Sequence, residues 1–176
     1  MENKNPMRQI IVSKLTLNIG VGEPGNKLDK AIKLLQLLTN AKPVKTKTMR
    51  RIPTFGIRPG LEIACKVTLR KEKAEQVLVR LLKAIDNNVP ESKFDNYGNF
   101  SFGIKEYIDI QDLEYEPDIG IIGLEAAVTL ERPGYRIKRK LKNFKIGKKH
   151  LITKQDAVDF MKEKFKITCN EESEEQ

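Results

Sequence analysis

The chain has 176 residues, a formal net charge of +9, 39% hydrophobic and 32% charged residues; that length suits one domain with a real core, and that charge points to a polyanion or an anionic surface as partner. Two cysteines, Cys65 and Cys169, form no pair motif, which excludes a disulfide scaffold and a zinc site. No apolar run approaches the roughly 18 residues of a membrane span, and the polar stretch Met1 to Arg8 carries no signal-peptide core, so a reducing cytoplasmic setting is expected.

Residues 10 to 19 read as a strand, with Leu15, Leu17 and Ile19 alternating with Lys14, Thr16 and Asn18. A turn over Gly20 to Gly25 leads into a helix over 27 to 39, with Leu28, Ile32, Leu35 and Leu38 at helical spacing. Pro43, Pro53, Pro59, Gly56 and Gly60 forbid a long helix over 40 to 60. A short strand is expected at Val44 to Thr48, then a long exposed loop from Arg51 to Gly60. Residues 62 to 70 form a second strand, with Ile63, Cys65, Val67 and Leu69 on one face and Ala64, Lys66, Thr68 and Arg70 on the other. A helix follows from about Lys71 to Ile85. Phe100, Phe102 and Ile104 mark a strand within 98 to 107, an acidic stretch covers 106 to 118, and Leu124 to Leu130 form the last strand. A basic segment runs from Arg132 to Lys149, and a last helix spans about Lys154 to Phe165 behind a capping box of Thr153 and Asp156. The acidic tail is expected to be disordered. The domain expected is residues 1–168, with a basic extension over about 132–168 and the tail at 169–176. The fold class expected is α+β: an antiparallel or mixed sheet with helices packed on one face and the other face open for RNA.

The turn Gly20-Val-Gly-Glu-Pro-Gly25 fits G-x-G-x-x-G between a strand and a helix. Pro24 removes a donor where phosphate would sit, and Lys45 stands where a ribose-binding acid belongs. A tight strand-to-helix turn is the simpler reading; a nucleotide-cofactor enzyme is the rival it displaces. No catalytic set can be assembled around His150, the sole histidine, read here as solvated or phosphate-facing. The acidic stretch does not match a calcium loop and reads as a solvated connection or a face for a basic partner. No cofactor, metal or enzymatic activity is expected. Two runs lack acids altogether: Lys42, Lys45, Lys47, Arg50, Arg51 and Arg58 in the first, and Arg132, Arg136, Lys138, Arg139, Lys140, Lys142, Lys145, Lys148 and Lys149 in the second. Such segregation is favourable when phosphates neutralise it and release counterions. Pro and Gly within both runs favour shaped loops, which suit folded RNA better than a DNA groove or a membrane. With aromatics at 6%, base stacking is not the expected main mode. An RNA chaperone working through 132 to 149 is the other alternative.

The segments LTLNIGVGE (15–23), KPVKTK (42–47), IPTFGIRPG (52–60), KVTLR (66–70) and FDNYGNFSFGIKE (94–106) stand in this order. Together they resemble the universal family of large-subunit ribosomal protein five, over residues 6 to 131. The ending ERPGYRIKRK is similar to archaeal and eukaryotic members, which points to an archaeal chain. The resemblance implies a structural protein of the large subunit that binds 5S rRNA in the central protuberance. Its family contacts carry over to Asn18, Thr68 and Arg70, already on the polar face by alternation. Lys14, Thr16, Lys42, Lys45, Lys47 and Lys66 complete the expected rRNA-binding set, and the basic segment is expected on phosphates. The family's Gln contact falls on Ala41, which has no amide to offer. A long loop that reaches the peptidyl-site tRNA corresponds to Arg51, Pro53, Thr54, Phe55, Gly56, Ile57, Arg58, Pro59 and Gly60. Local packing within the loop is the alternative role for Phe55. Expected partners are 5S rRNA, large-subunit rRNA, peptidyl-site tRNA and neighbouring ribosomal proteins, with no membrane.

Overall fold

The computed structural model describes residues 5–111, 113–140 and 144–169. Five strands and three α-helices follow in the order β1 (Ile11–Gly20), α1 (Asn26–Thr39), β2 (Val44–Lys47), β3 (Glu62–Leu69), α2 (Lys71–Lys83), β4 (Phe100–Ile104), β5 (Leu124–Glu131) and α3 (Lys154–Phe165). The glycine turn ends at Gly25, whose φ of 120° only glycine adopts readily, and its carbonyl receives the first N–H groups of α1. Asp29 in the first turn complements the helix dipole, and Asn40 closes the helix in a left-handed conformation. Helix α3 opens on a reciprocal capping box: Asp156 N–H donates to Thr153 Oγ1 at 3.2 Å, and Thr153 N–H donates to Asp156 Oδ2 at 3.1 Å.

The sheet order is β2-β3-β1-β5-β4, and every pairing is antiparallel. An antiparallel sheet without a βαβ unit is incompatible with a dinucleotide fold, so the glycine motif is a turn. Period-two alternation divides each strand. Leu15, Leu17, Ile19, Cys65, Val67, Leu69, Phe102, Ile104, Ala126, Val128 and Leu130 are buried on one side. Against them pack Leu28, Leu34, Leu35 and Leu38 of α1 and Ala74, Leu78, Leu81 and Leu82 of α2. Ile32, expected on the apolar stripe, is only half-buried, because Ala31 and Leu34 take the inward positions.

The basic extension leads into the same core. Ile152, Ala157, Val158, Met161 and Ile167 are buried. Beside them is the turn between Phe94 and Phe100, shaped by Asp95, whose carboxylate accepts from the Tyr97 and Asn99 backbones at 2.8 and 2.7 Å. Gly98 has φ +80°, and a Cβ there would lie 2.5 Å from Ile152 Cγ2. Thr168 N–H donates to Asn87 O at 2.8 Å and ties the far end of α3 to the segment after α2. The acidic connection is solvated on one side only. Glu106, Asp109, Glu114, Glu116 and Asp118 are exposed, but Tyr107, Ile110 and Ile119 are buried, and Arg80 donates to Gln111 O at 2.9 Å. Asp112, Lys142 and the tail over 170–176 lie outside the described residues.

Candidate nucleic-acid interface

The side of the sheet away from the helices is polar and uncovered, and the strand register shows how its residues line up. One row crosses all five strands: Val44, Lys66, Asn18, Glu125 and Gly103. A second runs Thr68, Thr16, Ala127 and Ser101, and Lys14 lies opposite Thr129 in a third. Asn18, Thr16 and Lys14 are half-buried, while Lys66, Thr68 and Ser101 are exposed. Arg70, also exposed, follows Thr68 at the junction of β3 with α2. The expected face residues Lys14, Thr16, Asn18, Lys66 and Thr68 are therefore brought together on one surface.

The three lysines of the 42–47 stretch do not share that surface equally. Lys42 is exposed beside the buried Pro43. Lys45 lies opposite the buried Cys65, on the helix side of the edge strand, with Nζ 3.6 Å from Asp29 and 3.4 Å from Glu62. Lys47 reaches Glu62 at 3.8 Å. The run is acid-free in sequence but not in space, because β3 places Glu62 beside it. Ala41, at the position of the family's Gln, packs against the core.

The loop is a closed hairpin. Thr48 N–H donates to Leu61 O at 2.9 Å and Gly60 N–H to Thr48 O at 2.8 Å; nearer the tip, Ile52 and Ile57 exchange both backbone bonds at 2.9 and 3.1 Å. Between them Pro53–Phe55 make a single 3-10 turn, and Gly56 follows with φ +65°. Thr54, Arg51, Arg58 and Pro59 are exposed, and Ile57 is half-buried. Phe55 is 74% exposed, so it does not pack within the loop. The 3-10 turn holds this large aromatic outward, toward solvent.

The basic segment splits into structural and outward-facing cations. Arg132 departs from its expected phosphate role: its side chain is 11% exposed, and its guanidinium donates to Asp156 Oδ2 at 3.1 Å and to Leu151 O at 3.2 Å. His150 is half-buried rather than fully solvated. Its Nε2 lies 2.9 Å from Pro133 O, and its ring meets Tyr135 edge-on at 5.7 Å. Burial raises the Tyr135 hydroxyl above its ordinary pKa, and that protonated hydroxyl donates to His150 O at 3.0 Å. Arg139 is paired with Glu131. Lys138 lies over the Tyr135 ring at 5.1 Å. Arg136, Lys138, Arg139, Lys140, Lys145, Lys148 and Lys149 are all exposed.

Sequence reading passed over the outer residues of β4 and β5: Ser101, Gly103, Glu125, Ala127 and Thr129. The signal was present, since inward Leu124, Ala126 and Val128 require Glu125, Ala127 and Thr129 to face out. Among the described residues no group of His, Cys, Asp and Glu side chains is placed to hold a metal ion, and no helix is long and apolar enough to cross a membrane.

The family model described as "Ribosomal protein L5" matches residues 5–58, and the model of the same ribosomal family's C-terminus matches residues 62–160. The chain is 47% identical over 171 residues to the large ribosomal subunit protein uL5 of Sulfolobus acidocaldarius, covering 97% of this chain and 96% of that one. It is 51% identical over 166 residues to the uL5 protein of Nanoarchaeum equitans, covering 93% and 98%. It is 46% identical over 165 residues to that of Methanosphaera stadtmanae, again covering 93% and 98%. A five-stranded sheet with one polar face, carried on a strongly basic chain, and relatives aligned over nearly its whole length lead to one conclusion: the chain belongs to the ribosomal protein L5 family, structural proteins of the large ribosomal subunit.

Proposed function

We propose that the chain binds 5S rRNA through the open face of its sheet and reaches the peptidyl-site tRNA with the hairpin between β2 and β3. The observation that carries the first part is the pair of polar rows through Lys66–Asn18 and Thr68–Thr16, on a face that no helix covers. Asn18 and Thr68 supply hydrogen bonds of fixed geometry, and Lys14, Lys66 and Arg70 supply charge for the flanking phosphates. Lys42 extends that charge past the edge strand, and Lys45 and Lys47, whose charge Glu62 and Asp29 partly offset, contribute less. The exposed cations from Arg136 to Lys149 add affinity for large-subunit rRNA, with neighbouring ribosomal proteins covering the remainder. The tRNA contact rests on Phe55, Arg51 and Arg58 at the outer end of a rigid turn.

Filter binding to 5S rRNA at fixed salt tests the first part. Replacing Asn18 and Thr68 together by Ala removes two hydrogen bonds and is expected to cost roughly 2–4 kcal/mol, some tens to a thousand fold in affinity. Equal affinity for an unrelated folded RNA, or no effect of the double substitution, overturns the reading.

A further inference from the structure

A carboxylate stands in the middle of a face that is proposed to meet a polyanion. Glu125 is exposed, and Asn18 Nδ2 lies 3.5 Å from its Oε2. No cation pairs with it among the described residues. An unpaired acid there repels phosphate, so its place on the surface calls for a ligand that donates hydrogen bonds. The ground in front of it is shaped for one. Thr16, Asn18, Lys93, Ser101, Gly103 and Glu125 line a shallow groove of about 290 Å³. Gly103 and Ser101 keep its floor low, and a Cβ at Gly103 would meet nothing within 4 Å. That is room for a single nucleobase laid against the sheet, not for a paired helix.

We propose that this groove takes an unpaired guanine of the bound RNA, with Glu125 as the residue that specifies it. Guanine alone among the four bases presents two adjacent donors, N1–H and N2–H, on its Watson–Crick edge. A carboxylate has two acceptor oxygens at matching separation, so the pair is bidentate. Adenine, cytosine and uracil each offer that edge fewer donors or set an acceptor against the carboxylate. Asn18 Nδ2, 3.5 Å from Oε2, stands beside the carboxylate to steady it with one amide hydrogen, and the Thr16 and Ser101 hydroxyls are within the groove for the ribose 2′-hydroxyl or the base rim. The assignment rests on the proposed binding of 5S rRNA by this face and adds to it the identity of one base.

The test uses the full chain and 5S rRNA in which unpaired guanines are replaced one at a time by inosine, which lacks the N2 amine. At one position inosine is expected to weaken binding roughly 10-fold or more. Glu125→Gln is expected to weaken binding of unmodified RNA by a similar factor, and to be insensitive to inosine at that position alone. A Glu125→Gln variant that binds unmodified RNA as well as or better than the parent, or that is still weakened by inosine at that position, overturns the assignment, as does a parent chain that no inosine weakens. Absence of 5S rRNA binding by the parent chain would instead overturn the reading beneath it. Circular dichroism of Glu125→Gln separates misfolding from lost recognition, and a folded Glu125→Asp variant is expected to keep part of the guanine preference.

Discussion

Arg132 and Arg136 stand four residues apart in one basic run and have opposite roles. Arg132 is turned inward onto Asp156 and the Leu151 carbonyl, whereas Arg136 is exposed. Arg132→Ala is therefore expected to lower stability by about 1–3 kcal/mol, because it leaves the Leu151 carbonyl without its donor and takes the cation from the Asp156 carboxylate, which keeps only the Thr153 N–H. Denaturant unfolding measures it, and affinity for RNA per folded molecule is expected to hold. Arg136→Ala is expected to leave stability within about 0.5 kcal/mol and to reduce the slope of log affinity against log salt by somewhat less than one. Residue type told both to be cationic; only the fold tells which is spoken for. Cys65 supplies a pH test. Burial pushes its thiol from 9.0 up to about 11. The unfolded thiol then releases its proton first, so stability is full below pH 9 and declines as pH rises from about 9 to about 11, by on the order of 2 kcal/mol. Cys65→Ala is expected to flatten the part of the pH–stability curve that belongs to the thiol.

Elements with a clear period were legible from residue pattern alone. β1, β3, β5, α1 and α2 lie within a residue or two of where alternation and helical spacing put them, and the Thr153–Asp156 capping box marks the start of α3. The hairpin was legible as a loop but not as a structure, because its order comes from backbone bonds between Thr48 and Leu61 and between Ile52 and Ile57, which leave no side-chain pattern. Phe55→Ala is expected to leave the melting temperature within about 1 °C, since the ring contributes exposed area only, while lowering tRNA cross-linking in subunits reconstituted with the variant. The seat of α3 was equally hidden. Nothing in the sequence ties Gly98 to Ile152, more than fifty residues on, yet the close approach there admits no Cβ. Gly98→Ala, with a clash and a left-handed φ together, is expected to destabilise by roughly 2–4 kcal/mol and to raise proteolysis between β5 and α3.

For the whole molecule, charge segregation read along the chain proved only partly true in space. Glu62 is within reach of Lys45 and Lys47, Glu131 holds Arg139, and Glu125 stands on the polar face. Proximity across a sheet is set by register, which no linear charge count contains. The C-terminal extension likewise cannot be regarded as an added basic arm. Ile152, Ala157, Val158, Met161 and Ile167 are among the core residues, and burying four such larger side chains is worth roughly 1.5–3 kcal/mol each, a sum comparable to the roughly 5–15 kcal/mol of a whole domain. Truncation after Glu131 is thus expected to abolish cooperative thermal unfolding rather than to yield a folded RNA binder. The alternation in β1 has one last consequence. Folding instructions occupy Leu15, Leu17 and Ile19, and the residues proposed for recognition, Lys14, Thr16 and Asn18, occupy the letters between them. The two sets are interleaved on opposite faces, so the outward residues can be substituted while the core stays constant. Deleting one residue within the strand would transpose them, exposing the leucines and burying the amide: this surface tolerates changes of letter and forbids changes of frame.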